Sequence, residues 1–435
     1  MKEKGGAGKI AAVLLLLAAV CLFAVLASGT KISFLENYSR NFKMNILALT
    51  NRFGIELSEP AKEYLQDIAP KVDVGENAIV TEPDEQQTAP STIENTEDIP
   101  EVEFDEASFA DKNVRTNPVA LEDASSAKYA RYRGYMLCVS PTSVIAFNAD
   151  GNSLWAIGIH MSDPILSVGG NYYMIAERGG TKAALFDGKK LLYETEADGA
   201  IKTATVSSNG DITIVSDKEY YKGAVIVINK NGDRVFSWSS GSDSIVCADI
   251  AAGSRKLAAA LLNTENGAKS RVLLFDITKG ESTAETVFEN SVVFDVDFLG
   301  EVLNVFADDK VCGVSQRGKI LWEADYSERK LIHTRADSSG YKLLMVDNDN
   351  TTELEVLTGR GKQKAVIGTD SVPDCIDISS GLIAYNLGRD IVLSGLSGKQ
   401  KKVCSCTREI RSVHIIDANN VMVVYNSGLE FIKFI

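Results

Sequence analysis

A strand–turn–strand pattern recurs seven times between residues 143 and 404. Each copy has two short runs rich in Val, Ile, Leu and Phe, separated by a turn that contains glycine. The turn glycines are Gly151, Gly188, Gly232, Gly280, Gly318, Gly361 and Gly398, which lie 37 to 48 residues apart. A repeat of about 40–50 residues with four strands is typical of a β-propeller. The pattern therefore predicts an all-β fold.

Two further strands precede the hairpins, as in the segments 203–217 and 413–427. The central strands are nearly continuous runs of Val, Ile, Leu and Ala, such as Ala224–Ile228. Such runs indicate strands that are covered on both faces. We therefore expect four strands in each blade, with neighbouring blades packed against both sides.

The number of blades follows from the length of the repeating region. Residues 123–435 divide into eight units of about 39 residues. The eighth unit has an inner pair at 410–427 and a third strand at 428–435. We predict an eight-bladed propeller in which a segment within 107–122 supplies the missing outer strand and leaves no open edge. A seven-bladed ring with a terminal extension is the alternative.

Residues 10–27 are 18 consecutive apolar residues. A membrane-spanning helix needs roughly 20 such residues, whereas the apolar core of a cleavable signal peptide has about 7–15. We predict that residues 1–30 are a cytoplasmic tail and an uncleaved transmembrane anchor; cleavage after Ala27 or Gly29 is the alternative. The short basic tail before the span places the propeller outside the cytoplasm.

Two segments separate the predicted anchor from the repeats. Residues 31–70 carry an apolar stripe at helical spacing and predict a helical juxtamembrane stalk, with a short coiled coil as the alternative. Residues 71–122 predict an acidic disordered linker, because the stretch 72–111 holds 13 acidic residues and no Lys or Arg. Self-repulsion would keep such a linker extended.

The distribution of charge argues against nucleic acid as a partner. The net charge is −14, and residues 112–435 contribute 36 basic and 40 acidic side chains. A surface that binds phosphates needs a surplus of Lys and Arg, which this sequence lacks.

Several hairpins resemble the repeats of quinoprotein-type (PQQ-like) propellers, notably Val144–Trp155 and Val314–Trp322. The whole sequence is also similar to a bacterial family of membrane-anchored propellers of unknown function, through Ala204–Gly210, Tyr220–Val225 and Val235–Trp238. This resemblance implies a WD40-like fold and a membrane anchor, and it implies no particular activity.

A quinoprotein dehydrogenase would need a quinone pocket, usually with Ca²⁺ and often with adjacent cysteines. This sequence has Cys404-Ser405-Cys406 but no Cys-Cys pair, so we predict neither a cofactor nor a metal site. The propeller cysteines are expected within strands of five blades, as free, buried thiols: Cys138, Cys247, Cys312, Cys375, Cys404 and Cys406.

Other polar residues are candidates for a site. His333 and His414 occupy matching places in the inner strands of blades six and eight, so they could face the channel as a pair. The acids that recur before the first turn are interpreted as acceptors of turn N–H groups; they are Asp249, Asp297, Asp377 and Asp417.

Two further motifs have structural interpretations. The segment 347–353 resembles a calcium loop but lacks its conserved Gly and final Glu, so it predicts a turn between two strands of blade six. The three tryptophans of the repeats lie on predicted fourth strands and are expected to pack between blades: Trp155, Trp238 and Trp322.

These observations favour a non-catalytic binding or scaffold module at the cell envelope. It would bind the membrane through its own anchor and hold a protein, peptide or cell-wall polymer on one face of the propeller. No catalytic or ligand-binding residue is predicted. The alternative is a quinoprotein-like or hydrolytic enzyme that uses channel residues such as His333 and His414.

Overall fold

The computed structural model describes residues 114–121, 124–253, 255–265, 267–348, 351–399 and 401–435. These residues form eight antiparallel sheets of four strands each, arranged as an eight-bladed β-propeller. The prediction of eight blades is confirmed, and the seven-bladed alternative is wrong.

The first described strand, β1 (Val114–Ala120), belongs to the last sheet. The first four sheets follow it in sequence order. From inner to outer strand they are β2 (Lys128–Tyr132), β3 (Tyr135–Val139), β4 (Ser143–Phe147) and β5 (Ser153–Gly158); β6 (Pro164–Gly169), β7 (Tyr172–Glu177), β8 (Lys182–Asp187) and β9 (Lys190–Glu196); β10 (Ile201–Val206), β11 (Ile212–Ser216), β12 (Gly223–Ile228) and β13 (Arg234–Ser240); and β14 (Ser244–Ile250), β15 (Lys256–Asn263), β16 (Lys269–Asp276) and β17 (Ser282–Glu289).

The remaining sheets follow the same order. They are β18 (Val293–Leu299), β19 (Val302–Ala307), β20 (Lys310–Ser315) and β21 (Ile320–Asp325); β22 (Lys330–Ala336), β23 (Lys342–Asn348), β24 (Thr351–Leu357) and β25 (Gln363–Thr369); β26 (Ile376–Ser379), β27 (Leu382–Leu387), β28 (Asp390–Gly395) and β29 (Lys402–Ser405); and β30 (Ser412–Ile415), β31 (Asn420–Tyr425) and β32 (Gly428–Phe434), with β1 as the outer strand.

The eighth sheet closes the ring by combining strands from both ends of the described region. β1 pairs antiparallel with β32, in a register that runs from Val114 opposite Phe434 to Ala120 opposite Gly428. Pro118 fits this position because an outer strand is bonded on one side only and can spare an N–H group. The inner strand β30 of this sheet contacts β2 of the first sheet.

The core lies between the blades. The middle strands β11 and β12 are buried along their whole length, whereas the outer strand β13 is largely exposed or half-buried. Each apolar cluster joins two consecutive sheets; Phe236 of the third sheet, for example, packs edge-on against Phe275 of the fourth, with ring centroids 5.5 Å apart. The continuous apolar runs are thus explained by burial on both faces.

The predicted anchor, stalk and acidic linker, up to residue 113, lie outside the described residues. Among the residues that the structure describes, no helix has the length and apolar character to cross a membrane.

Candidate functional site

A cavity of about 310 Å³ lies at one end of the central channel. Its lining comes from four inner strands, those of the sixth, seventh, eighth and first sheets, and from Met136 of β3. Arg131 and Arg335 are each the second-last residue of their strand, and Ser379 is the last residue of β26. The cavity therefore opens on the face that carries the turns between first and second strands. We call it the channel-end cavity.

Two guanidinium groups contribute to the channel-end cavity. Arg131 reaches the seventh sheet, where its Nη1 donates to Ser379 Oγ at 2.6 Å and Ser380 Oγ at 2.8 Å. Arg335 Nη1 donates to the backbone oxygen of Thr334 at 3.1 Å. Both side chains are exposed.

One carboxyl group lies among these cations. Asp377 Oδ2 accepts a hydrogen bond from the backbone N–H of Ile415, in the next inner strand, at 2.7 Å. Burial raises the pKa of Asp377 to about 6, although the Ile415 N–H group and the charges of Arg335 and Arg131 act in the opposite direction. This acid therefore titrates close to neutral pH.

His414 forms part of the wall of the cavity. Its Nε2 lies 3.0 Å from Ser412 Oγ, and its ring lies 5.4 Å from that of Tyr129. Burial, reinforced by the charge of Arg335, lowers the pKa of His414 to about 4. The imidazole is therefore neutral at pH 7.

The structure does not bring the two predicted histidines into one site. His333 is not among the residues that line the channel-end cavity. Its Nδ1 accepts the backbone N–H of Thr334 at 3.1 Å and lies 3.5 Å from Arg335 Nη1. Only His414 of the predicted pair belongs to the site.

Residues 106–434 match a protein family described as a family of unknown function (DUF5711). The protein belongs to this family. The match spans every strand of the described propeller. A comparison with curated proteins finds no match.

Solved propellers share the architecture at low sequence identity. The computationally designed Ika8 protein has a TM-score of 0.55 and 14% identity, covering 73% of this protein and 98% of its own length. The C-terminal WD40 domain of Sif2 has a TM-score of 0.52 and 9% identity, covering 73% and 97%. BamB from Moraxella catarrhalis has a TM-score of 0.47 and 11% identity, covering 73% and 98%. The first two likenesses show the propeller fold alone.

The recurring acids do not share the predicted role. Asp417 accepts the turn N–H groups of Asn419 and Asn420 at 2.8 and 3.0 Å, as expected. Asp249 instead accepts the N–H of Phe298 in the next blade at 2.9 Å, and Asp377 makes the equivalent bond to Ile415. The turn interpretation is wrong for these two, because an inner strand faces its neighbour with an unpaired backbone edge that needs acceptors.

A buried lysine was missed by the sequence analysis. Lys342 is fully buried at the start of β23, where its Nζ donates to the backbone oxygen of Gly340 at 3.2 Å and lies 5.1 Å from the centroid of the Trp322 ring. Burial lowers the pKa of Lys342 to about 8, and the charge of Asp297 partly offsets this. A single Lys in front of an apolar strand has no sequence signal that distinguishes it from a surface residue.

The six cysteines of the described propeller carry buried thiols, as predicted. Two details differ from the sequence analysis: Cys375 and Cys406 lie one residue outside β26 and β29, and the six thiols belong to four sheets rather than five. No group of three or more His, Cys, Asp or Glu side chains within the described ranges is placed to hold a metal ion.

The structural interpretations of residues 347–353 and of the three tryptophans agree with the fold. Residues 347–353 span the junction of β23 and β24 in the sixth sheet, although 349 and 350 lie outside the described residues. The tryptophans lie on fourth strands and pack between blades; Trp238, for example, lies 5.2 Å from the ring of Phe275 in the next sheet.

Proposed function

We propose that this protein is a non-catalytic binding or scaffold module of the cell envelope. An N-terminal transmembrane anchor would hold it in the membrane, with the propeller outside the cytoplasm. The apolar run at residues 10–27 supports the anchor, and the basic tail before it supports this orientation.

The observation that carries the binding role is the channel-end cavity. Four inner strands contribute to it, so a ligand there would contact residues that the ring holds in place from several directions. Its guanidinium groups offer several N–H donors but remain protonated at physiological pH, which suits recognition better than proton transfer. The partner would be a protein, peptide or wall polymer on the outer side of the membrane.

A hydrolytic role is the second candidate, and one contact favours it. Ser412 Oγ and His414 Nε2 lie 3.0 Å apart, the separation of a nucleophile and its base. The low pKa of His414, about 4, makes its imidazole a weak base at pH 7, which argues against this role. Loss of hydrolysis of an ester or peptide substrate in Ser412→Ala would favour it.

Crosslinking of the intact membrane-bound protein, followed by identification of its partners, tests the proposal. We expect a reproducible partner that survives His333→Gln and His414→Gln. It should be lost when Trp replaces Ala252 or Ser338, two exposed turn residues on the face of the cavity. Stoichiometric quinone or metal in the purified protein, or loss of the cellular phenotype from changing either histidine alone, would contradict a non-catalytic role.

The proposed location of the propeller, outside the cytoplasm, is tested separately. Protease added to intact cells should digest the propeller or release it. A propeller that stays protected until the cells are lysed would reverse the proposed orientation.

A further inference from the structure

The channel-end cavity has more positive than negative charge. Arg131 and Arg335 are protonated at all physiological pH values. Asp377 contributes at most one negative charge, and His414 is neutral because its pKa is lowered to about 4. The charged groups that line the cavity therefore sum to at least one positive charge, and a ligand with one negative charge would balance it.

The guanidinium of Arg131 is held in a position from which it can bind an oxyanion. The bonds from Arg131 to Ser379 and Ser380 both use Nη1, so they fix the guanidinium while its other two nitrogens still carry N–H groups. Arginine donates in a planar fork that matches the two oxygens of a carboxylate. Fixing the side chain in advance lowers the entropy lost on binding.

The size and walls of the cavity limit what can enter. Its volume of about 310 Å³ is at the low end of the range for ligand pockets, roughly 300–1,000 Å³. Tyr129, Met136 and Ile378 contribute apolar surface beside the charged groups. A carboxylate on a short aliphatic stem fits this combination, whereas a phosphate monoester would bring close to two negative charges.

We propose that the channel-end cavity binds a carboxylate group of a protein or peptide partner, between Arg131 and Arg335. The group is either the partner's C-terminal carboxylate or the side chain of an Asp or Glu. This inference rests on the proposed binding function and specifies the chemistry of its ligand.

Asp377 couples this binding to pH. The groups that face it are Arg131 and Arg335, both permanently charged, and the neutral His414. A bound carboxylate repels the ionised form of Asp377 and favours its protonated form, so binding takes up a proton. Affinity should therefore rise as the pH falls from 8 to 5, a range in which the ligand itself stays ionised.

Calorimetric titration of the full-length protein in nanodiscs tests the inference. The probes are an acetylated tetrapeptide with a free C-terminal carboxylate, its C-terminal amide, the amide form with one internal Glu, and inorganic phosphate. We expect the free-acid peptide, the Glu peptide or both to bind, which identifies the source of the carboxylate, and the plain amide to fail. Phosphate that binds more tightly than either carboxylate would overturn the assignment.

Matched variants locate the binding in the cavity. Arg131→Met and Arg335→Met should each weaken it at least tenfold, while Arg133→Met should leave it unchanged, since Arg133 pairs with Asp187 at 2.5 Å and does not line the cavity. Asp377→Asn retains an oxygen for the Ile415 N–H group, and it should tighten binding at pH 7.5 and remove the pH dependence. An equal loss in Arg133→Met, or weaker binding in Asp377→Asn, would overturn the proposal.

The two proposals can fail separately. If Arg131→Met and Arg335→Met retain the crosslinked partner while no carboxylate binds the parent, the ligand class is wrong and the binding function stands. If carboxylates bind as expected but no partner is crosslinked to the intact protein, the scaffold role is wrong and the site stands.

Discussion

At the scale of single residues, polar groups on the inner strands connect one blade to the next. Asp249 and Asp377 each accept a backbone N–H group from the following inner strand, and Ser167 Oγ accepts that of Val206 at 3.1 Å. Inner strands are sheet edges enclosed within the ring, where water cannot satisfy every backbone group. The sequence showed the recurrence of these acids but not their partners, because those partners lie 38 and 49 residues away, in the next repeat.

Asp249→Asn should stabilise the protein in alkaline but not in acidic solution. Burial, followed by the charge of Asp297, raises the folded-state pKa of Asp249 to about 7, from 3.8. The contribution of Asp249 to stability is thus full below pH 4 and is lost as the pH rises through 7. Thermal unfolding at pH 5 and pH 8 gives the free energy of unfolding of the variant and of the parent protein. At pH 8 we expect the value for the variant to exceed that of the parent by at most about 4 kcal/mol.

Asp325→Asn is the matched control for this measurement. Hydrogen bonds from Ser327 lower the pKa of the exposed Asp325 carboxyl. Asp325→Asn should therefore lower the free energy of unfolding at pH 8, whereas Asp249→Asn should raise it. Equal stability of Asp249→Asn and the parent at both pH values would contradict the assignment of a buried, titrating acid.

Gly361→Ala should destabilise the fold more than Gly280→Ala. Both glycines occupy the same hairpin turn in different blades, with φ of 72° and 75°, a region that costs alanine about 1–2 kcal/mol. A Cβ at Gly361 would also lie 2.1 Å from Cε3 of Trp322, whereas one at Gly280 would meet nothing within 4 Å. Displacing the indole should add about 1–3 kcal/mol. Urea unfolding midpoints compare the two, and equal losses would show that Trp322 does not pack there.

At the scale of strands and sheets, the sequence predicted most of the architecture. Turn glycines at a regular interval mark the hairpins, and the continuous apolar runs mark strands buried on both faces; both are local signals that the ring requires. Counting strands in the last repeat indicated a missing outer strand, and β1 occupies that place. Strand ends were less predictable: Cys375 and Cys406 lie just outside their strands because ladder bonding, not apolar character, decides where a strand stops.

Deleting residues 107–122 should lower the melting temperature much more than deleting 75–105. The first deletion removes β1, which leaves β32 with an unpaired edge and uncovers Leu429 and Phe431, two buried residues of the cluster between the eighth and first sheets. The second removes acidic sequence that precedes the described propeller. Differential scanning calorimetry of both variants compares them, and equal, negligible changes would mean that the ring does not depend on this strand.

At the scale of the whole molecule, the candidate site depends on closure of the ring. Arg131 and Arg335 are about 200 residues apart in the sequence and meet only because the first and sixth blades face the same channel. Neither arginine is part of a motif, so no local pattern could have identified them. The expectation of matching histidines is wrong, because the two positions are offset by one residue. His414 pairs with the third residue of β31, whereas His333 pairs with the fourth residue of β23. Successive strand residues point to opposite faces, so the two side chains do not share one cavity.

The most direct test of the account is site-specific photo-crosslinking in intact cells. A photoreactive amino acid at Ser338, an exposed turn residue on the face of the channel-end cavity, should capture a discrete partner. The same amino acid at Glu219, exposed in the loop between β11 and β12 on the opposite face, should not. Capture that is lost in Arg131→Met would support a partner held at the channel end. Capture from Glu219 alone, or equal capture from both positions, would contradict it.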